Sequence, residues 1–281
     1  MAIRKTVKNS VKAAVKPVKA AKSVKATKGA KKNDNLLAER PGKIITREGN
    51  IVLKAFEKAK AKADVLNEAL NQSRVEQAGL PVPSLKEVRV LKDGRWAIAM
   101  DYVEGQTLED LMTSDKKNFA KYMKQFIDIH VSVMSNHVAL LNPLREKLER
   151  QLGMSELPEE QRYNLHMQLS SKEKKTNVCH GDFNPSNVIL LPGGGYKIID
   201  WAHARRGNPL ADVARTYLYF WVNGRHDAAE KYLVGICNVL KVQKHEVQLW
   251  LPIVAAAQST KTNDSRVRDL LLHWASVVDY V

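Results

Sequence analysis

One stretch constrains this chain more than any other: His180-Gly181-Asp182-Phe183-Asn184-Pro185-Ser186-Asn187, followed shortly by Ile198-Ile199-Asp200-Trp201. Asn187 opens an apolar run, Val188-Ile189-Leu190-Leu191, and Gly193-Gly194-Gly195 turns the chain back through Tyr196-Lys197-Ile198-Ile199. A hairpin of this kind brings Asn187 and Asp200 to the same end. Two oxygen-bearing side chains placed there, completed by water and phosphate, suit Mg²⁺, which rarely takes an all-protein cage. Asp182 is left to face a group that gives up a proton. A lone Asp or Asn in a loop is ordinarily a turn former, but three in this order point to chemistry.

Transfer of a nucleotide γ-phosphoryl needs a carboxylate to receive the acceptor proton and oxygen ligands to hold the metal against the phosphates. Asp182, Asn187 and Asp200 follow the order and spacing that protein kinases use for those groups. His180-Gly181-Asp182-Phe183, Asn187-Val188, Ile199-Asp200-Trp201 and Gly207-Asn208-Pro209 with Asp212-Val213-Ala214-Arg215 resemble the signature of the aminoglycoside phosphotransferase and choline kinase family. The resemblance runs from about Lys43 to the C-terminus and is most specific between Cys179 and Arg215. It implies an α+β, two-lobed protein-kinase-like fold. A small N-terminal β-sheet lobe with its linker would span residues 35–103, and a larger helical C-terminal lobe residues 104–281. A disordered basic tail, residues 1–34, would precede them.

The same resemblance implies further site residues. Lys54, near the end of the β-rich run Asn50-Ile51-Val52-Leu53-Lys54-Ala55-Phe56, would meet the α- and β-phosphates of ATP. Glu68, on a helix expected from about Lys58 to Ala78 and stopped by Gly79, would hold Lys54 in an ion pair, with Glu57 and Glu76 as rivals. Strands at Val88-Leu91 and Trp96-Met100, joined by Asp93-Gly94, lead to Asp101-Tyr102-Val103, whose backbone at Asp101 and Val103 would bind adenine. Thr107-Leu108-Glu109-Asp110 then reads as a capped helix start. Asp212 would accept hydrogen bonds from the catalytic loop, and His180 would brace it.

The chain departs from the kinase pattern at one place. No Gly-x-Gly-x-x-Gly loop precedes Lys54. Pro41-Gly42-Lys43 and Glu48-Gly49-Asn50 are the only glycine turns there, and the covering element is expected as a tight hairpin around Arg47-Glu48-Gly49-Asn50. That gap sustains a competing reading: a catalytically weak, pseudokinase-type nucleotide-binding module tethered to a polyanion by its tail. Retention of Asp182, Asn187 and Asp200 argues against it. The 12-residue interval from Asp200 to Asp212 leaves no room for a phosphorylatable activation loop, which disfavours a protein kinase.

Charge is concentrated at the N-terminus. Residues 1–32 carry eleven Lys and Arg and no acid, so the remainder holds only +4 of the net +15. This Ala- and Val-rich segment buries too little to fold alone. Attachment to nucleic acid or to an anionic membrane surface ranks above a merely solvated extension, and a transit peptide ranks lower. No apolar run approaches the eighteen residues of a membrane span. Cys179 and Cys237 match no metal spacing, so reduced thiols in a cytoplasmic protein are expected.

The expected reaction is in-line transfer from ATP to a hydroxyl of a small molecule, with Mg²⁺ on Asn187 and Asp200 and with Asp182 as base. Aminoglycoside sites need many carboxylates. Residues 106–177 hold ten acidic and eleven basic side chains and residues 221–281 hold six and seven, so the sequence announces no acidic pocket.

Overall fold

The computed structural model describes residues 35–276; the basic tail and its expected partners lie outside the described residues. Five strands form an antiparallel sheet in the order β1-β2-β3-β5-β4: β1 (Leu36–Arg40), β2 (Lys43–Glu48), β3 (Ile51–Phe56), β4 (Leu85–Val90) and β5 (Trp96–Asp101). Period-two alternation sorts β3. Leu53 and Ala55 pack with Ala97 and Ala99 on one face, while Phe56 packs with Ile98 and with Val65 and Ala69 of helix α1 (Lys62–Gln77) on the other. Lys54 shares the face of Phe56. Lys43 stands directly opposite Phe56 in the β2–β3 register, so it belongs to that face as well.

Helix α1 begins four residues later than the sequence suggests, because the Lys60 N–H closes a turn on the Glu57 carbonyl and keeps residues 58–60 out of the helix. It stops where expected. Gly79 adopts φ +81°, and Leu80 N–H returns to the Val75 carbonyl, satisfying an end that would otherwise be orphaned. β4 reaches back to Leu85, three residues before the expected start, because its pairing extends to Leu85 opposite Met100.

The second part of the chain is mainly helical. A short strand, β6 (Gln106–Thr107), leads into α2 (Leu108–Ser114), where the Thr107 hydroxyl accepts the Asp110 N–H at 3.1 Å and caps the first turn. Then come α3 (Phe119–Met134), α4 (Leu144–Gly153), α5 (Glu159–Ser171) and β7 (Asn177–Cys179). The hairpin of β8 (Val188–Leu190) and β9 (Tyr196–Ile198) pairs with β6, and β10 (Arg205–Gly207) pairs with β7. Helices α6 (Pro209–Val222), α7 (His226–Leu240), α8 (Lys244–Gln248), α9 (Leu251–Ser259) and α10 (Ser265–Ser276) complete it. Phe126, Phe183, Phe220 and Tyr232 form the centre of the apolar core beneath the hairpin. No helix among the described residues is long and apolar enough to cross a membrane.

The two parts are tied together at the hairpin. Ile198 N–H donates to the Pro81 carbonyl at 2.8 Å, Lys197 Nζ to the Val82 carbonyl at 3.0 Å, and Asn71 Nδ2 of α1 lies over the carbonyls of Trp201, Ala202 and Ala204. These bonds set Asp200 beneath β3.

Candidate active site

The β8–β9 hairpin brings Asn187 and Asp200 to one end. Ile199 N–H donates to the Asn187 carbonyl at 2.9 Å, so the residue before Asp200 is stitched to Asn187. Asn187 Nδ2 in turn donates to the Asp182 carbonyl at 2.9 Å. That bond directs the amide nitrogen to the Asp182 loop and leaves Asn187 Oδ1 buried with no hydrogen-bond partner. A buried carbonyl oxygen without a partner costs roughly 1–3 kcal/mol, a cost that a hard cation at this point would remove. Asp200 takes the left-handed conformation, φ 66° and ψ 58°, a strained choice for a residue with a Cβ.

Asp200 faces lysine on both oxygens. Lys54 Nζ lies 3.0 Å from Oδ1, and Lys43 Nζ lies 2.9 Å from Oδ2. Lys54 also pairs with Glu68. Burial by itself would raise the Asp200 carboxyl, but Lys54 and Lys43 outweigh it and hold the group far below the usual carboxylate range. Burial by itself would lower Lys54, yet the Asp200 and Glu68 carboxylates hold its ammonium above the ordinary lysine value. Lys43 moves the other way, lowered by burial and by the neighbouring Lys54 charge. Of the two rival acids, Glu76 accepts the Leu85 N–H, and Glu57 sits against the Pro41-Gly42 turn.

The loop that carries Asp182 is anchored from below. The buried Asp212 of α6 accepts the His180 N–H at 2.7 Å and the Gly181 N–H at 2.8 Å. His130 Nε2 lies 3.3 Å away on the same carboxylate, and the His130 Nδ1 faces the Tyr232 hydroxyl at 2.7 Å. Burial would raise Asp212, but the bonds from His130 and Gly181 hold it down. His180 donates from Nε2 to the Ile199 carbonyl and accepts the Asp182 N–H at Nδ1. That is the neutral tautomer, in keeping with burial that lowers its pKa. Gly181 adopts φ +75°, and a Cβ there would stand 2.4 Å from the His203 carbonyl oxygen.

Asp182 is partly open, with a third of its side chain exposed. Arg215 Nη2 donates to its Oδ1 at 2.7 Å, and Oδ2 has only long contacts of 3.4 and 3.5 Å from the Asn184 and Asn187 amides. Oδ2 is therefore the more open of the two carboxylate oxygens. Neither Arg215 nor Lys43 was singled out from the sequence as a site residue. Arg215 carried a signal, because it lies three positions after Asp212 on the same helix and so on the same face. Lys43 carried one in its register opposite Phe56, which becomes visible only once β2 and β3 are paired.

At the other end of the sheet, Asp101 closes β5, where its N–H donates to the Ser84 carbonyl and its carboxylate meets Lys86 at 2.9 Å. Tyr102 N–H donates to the Asn50 carbonyl, and the Arg47 guanidinium stacks on the Tyr102 ring at 3.8 Å. Among the described residues no hydrogen bond engages the main chain of Val103, which leaves its amide open to a ligand. The hairpin at Arg47–Asn50 thus lies at this linker end and does not cover the Lys54–Asp200 end. The turn there is Pro41-Gly42, between Arg40 and Lys43, because β2 runs antiparallel to β3 and its first residue pairs with Phe56. Cys179 and Cys237 are buried and unbridged, and burial raises the Cys179 thiol well above its ordinary value.

Residues 43–242 match the phosphotransferase enzyme family. The chain belongs to that family. No curated protein matches it. Among solved structures, this phosphotransferase is similar to a thermostable mutant of aminoglycoside phosphotransferase APH(4)-Ia in ternary complex with AMP-PNP and hygromycin B. The TM-score is 0.64 at 14% identity, over 85% of this chain and 90% of the other. It is also similar to choline kinase LicA from Streptococcus pneumoniae, with TM-score 0.59 at 14% identity over 98% of each chain. A choline/ethanolamine kinase family protein from Mesorhizobium loti gives TM-score 0.57 at 14% identity, over 86% of this chain and 85% of the other. At these identities the likeness establishes the α+β kinase-like fold of this phosphotransferase.

Proposed function

We propose that this phosphotransferase moves the γ-phosphoryl group of ATP to a hydroxyl of a small molecule, with Asp182 as the base. The observation that carries this reading is the continuous linkage from Asp182 through Asn187 and Ile199 to Asp200 and Lys54, which brings two carboxylates, an amide oxygen and an ammonium together at one place. The AMP-PNP complex of the APH(4)-Ia structure supports ATP as donor.

In this reading adenine lies against Asp101 to Val103, and Lys54, held by Glu68, meets the phosphates. Asn187 Oδ1 and the Asp200 carboxylate are the groups that would hold Mg²⁺; the partnerless buried amide oxygen and the all-oxygen donor set fit that ion. When bound, the ion offsets negative charge on the phosphates. Lys43 and Lys54 supply countercharge to Asp200 in the form described here, and both stand where phosphate oxygens would arrive. Asp182 Oδ2 orients the acceptor hydroxyl and takes its proton, while Arg215 fixes the carboxylate through Oδ1. Asp212 and His180 keep the loop in place without touching substrate.

The test is ADP release measured against a pool of small hydroxyl compounds. Asp182→Ala should cut turnover by roughly 10²–10⁴-fold while nucleotide affinity changes little. Asp200→Ala should weaken binding of the metal-nucleotide complex. Equal turnover in wild type and Asp182→Ala would reject the assignment and favour a nucleotide-binding module without catalysis.

A further inference from the structure

On the C-terminal side of Asp182 the fold gathers cations that lie far apart in sequence. Lys147 of α4 donates to the His203 carbonyl at 3.3 Å, beside the Gly181 backbone. Lys261, just past the end of α9, lies near Lys147, and its charge environment is set by Arg215, Asp182 and Arg205. Helices α4 and α9 pack on each other, which fixes that meeting. Arg205 of β10 and Arg215 of α6 complete the group, and the His203 ring is acted on by Lys261, Lys147 and Arg215.

These charges are not balanced. Among the described residues Lys147, Lys261 and Arg205 form no ion pair with a carboxylate, and Arg215 has Asp182 alone. Burial, with Lys261, Arg205 and Arg215 adding to it, pushes Lys147 well below the ordinary lysine value. Lys261 is exposed, and the Arg215 charge works against its own. Unpaired like charges repel and cost stability, so their retention beside a reacting group points to a ligand of opposite sign. The cluster is distinct from the cations that meet Asp200: Lys43 and Lys54 belong to β2 and β3, and these groups belong to α4, β10, α6 and the segment after α9.

We propose that the phosphoryl acceptor is a small hydroxyl compound that itself bears a phosphate or carboxylate, seated on Lys147, Lys261 and Arg205 with its hydroxyl at Asp182. This names the substrate class of the reaction proposed above and rests on that reading. Lys147 reaches the His203 carbonyl that lies against Gly181, the residue before Asp182, and Arg215 grips Asp182 itself, so a small molecule held by the cluster sits beside that carboxylate. A polycationic acceptor would meet repulsion here.

Two measurements test the proposal. Inorganic phosphate and citrate are titrated by calorimetry into full-length protein already saturated with Mg-AMP-PNP, which blocks the nucleotide phosphate site. Binding is expected, and the double variant Lys147→Met/Lys261→Met should weaken it roughly 10–100-fold, as loss of charge-assisted hydrogen bonds predicts. ADP release is then compared for sugar phosphates, hydroxy acids, uncharged polyols and amino alcohols. The anionic classes should be preferred, and the double variant should raise the acceptor KM much more than the KM for ATP. Preference for polyols or amino alcohols, or anion binding unchanged in the double variant, overturns the proposal. Anion binding with no transfer to any acceptor rejects the phosphotransfer reading and leaves the anion site standing. Should the double variant fail to fold, Lys261→Gln alone, at a solvent-exposed position, carries the same comparison.

Discussion

The Lys54 ammonium lies 3.0 Å from Asp200 Oδ1, across 146 positions of chain. That contact joins the sheet to the β8–β9 hairpin at the point where phosphates would enter, and Glu68 completes it from α1. Three elements therefore share one buried charge network.

Lys54→Met removes the shared partner of both carboxylates. Hydrogen bonds between charged groups contribute ~1.5–3 kcal/mol each, so nucleotide affinity should fall roughly 10–100-fold, read by calorimetric titration of Mg-AMP-PNP. Glu68→Gln should give a smaller loss, because Asp200 still holds the ammonium. Equal affinity in wild type and Lys54→Met would show that the ion pair serves folding alone.

Asp212→Ala deprives the His180 and Gly181 amides of their acceptor inside the core. An unsatisfied buried donor costs ~1–3 kcal/mol, so a clear fall in Tm should accompany a drop in kcat. Asp212→Asn keeps one acceptor oxygen and should lose less on both counts. An unchanged melting curve for Asp212→Ala would contradict this anchoring role.

Gly181→Ala meets both a positive φ of +75° and a Cβ position 2.4 Å from the His203 oxygen. The neighbour is backbone and cannot swing aside. A cost of ~1–3 kcal/mol or more follows, with turnover falling because Asp182 is the next residue. Urea unfolding and ADP release measured on one preparation check both effects.

The hairpin and its loop were legible because they are local: Asn187, the glycine turn and Asp200 lie within a span whose alternation and turn chemistry fix the geometry. The stop of α1 at Gly79 and the Thr107 cap were legible for the same reason. The start of α1 was not, since the Glu57–Lys60 turn depends on Glu57 N–H reaching the Gly42 carbonyl in the turn between β1 and β2. The turn at the Lys54–Asp200 end was misplaced by reading glycines along the chain, whereas strand direction in the sheet decides which turn lies there.

By itself the sequence determined the kinase-like order of Asp182, Asn187 and Asp200, because short-range spacing and backbone preference suffice to place them. Only tertiary structure decided that Lys43 shares Asp200 with Lys54, that Arg215 grips Asp182, and that Lys147, Arg205 and Lys261 meet. Along the chain these cations sit among nearly equal numbers of acids, and their charge appears neutralised. Packing of α4 on α9 brings Lys147 close to the segment that carries Lys261, and an electrostatic field depends on distance in space, not on order in sequence.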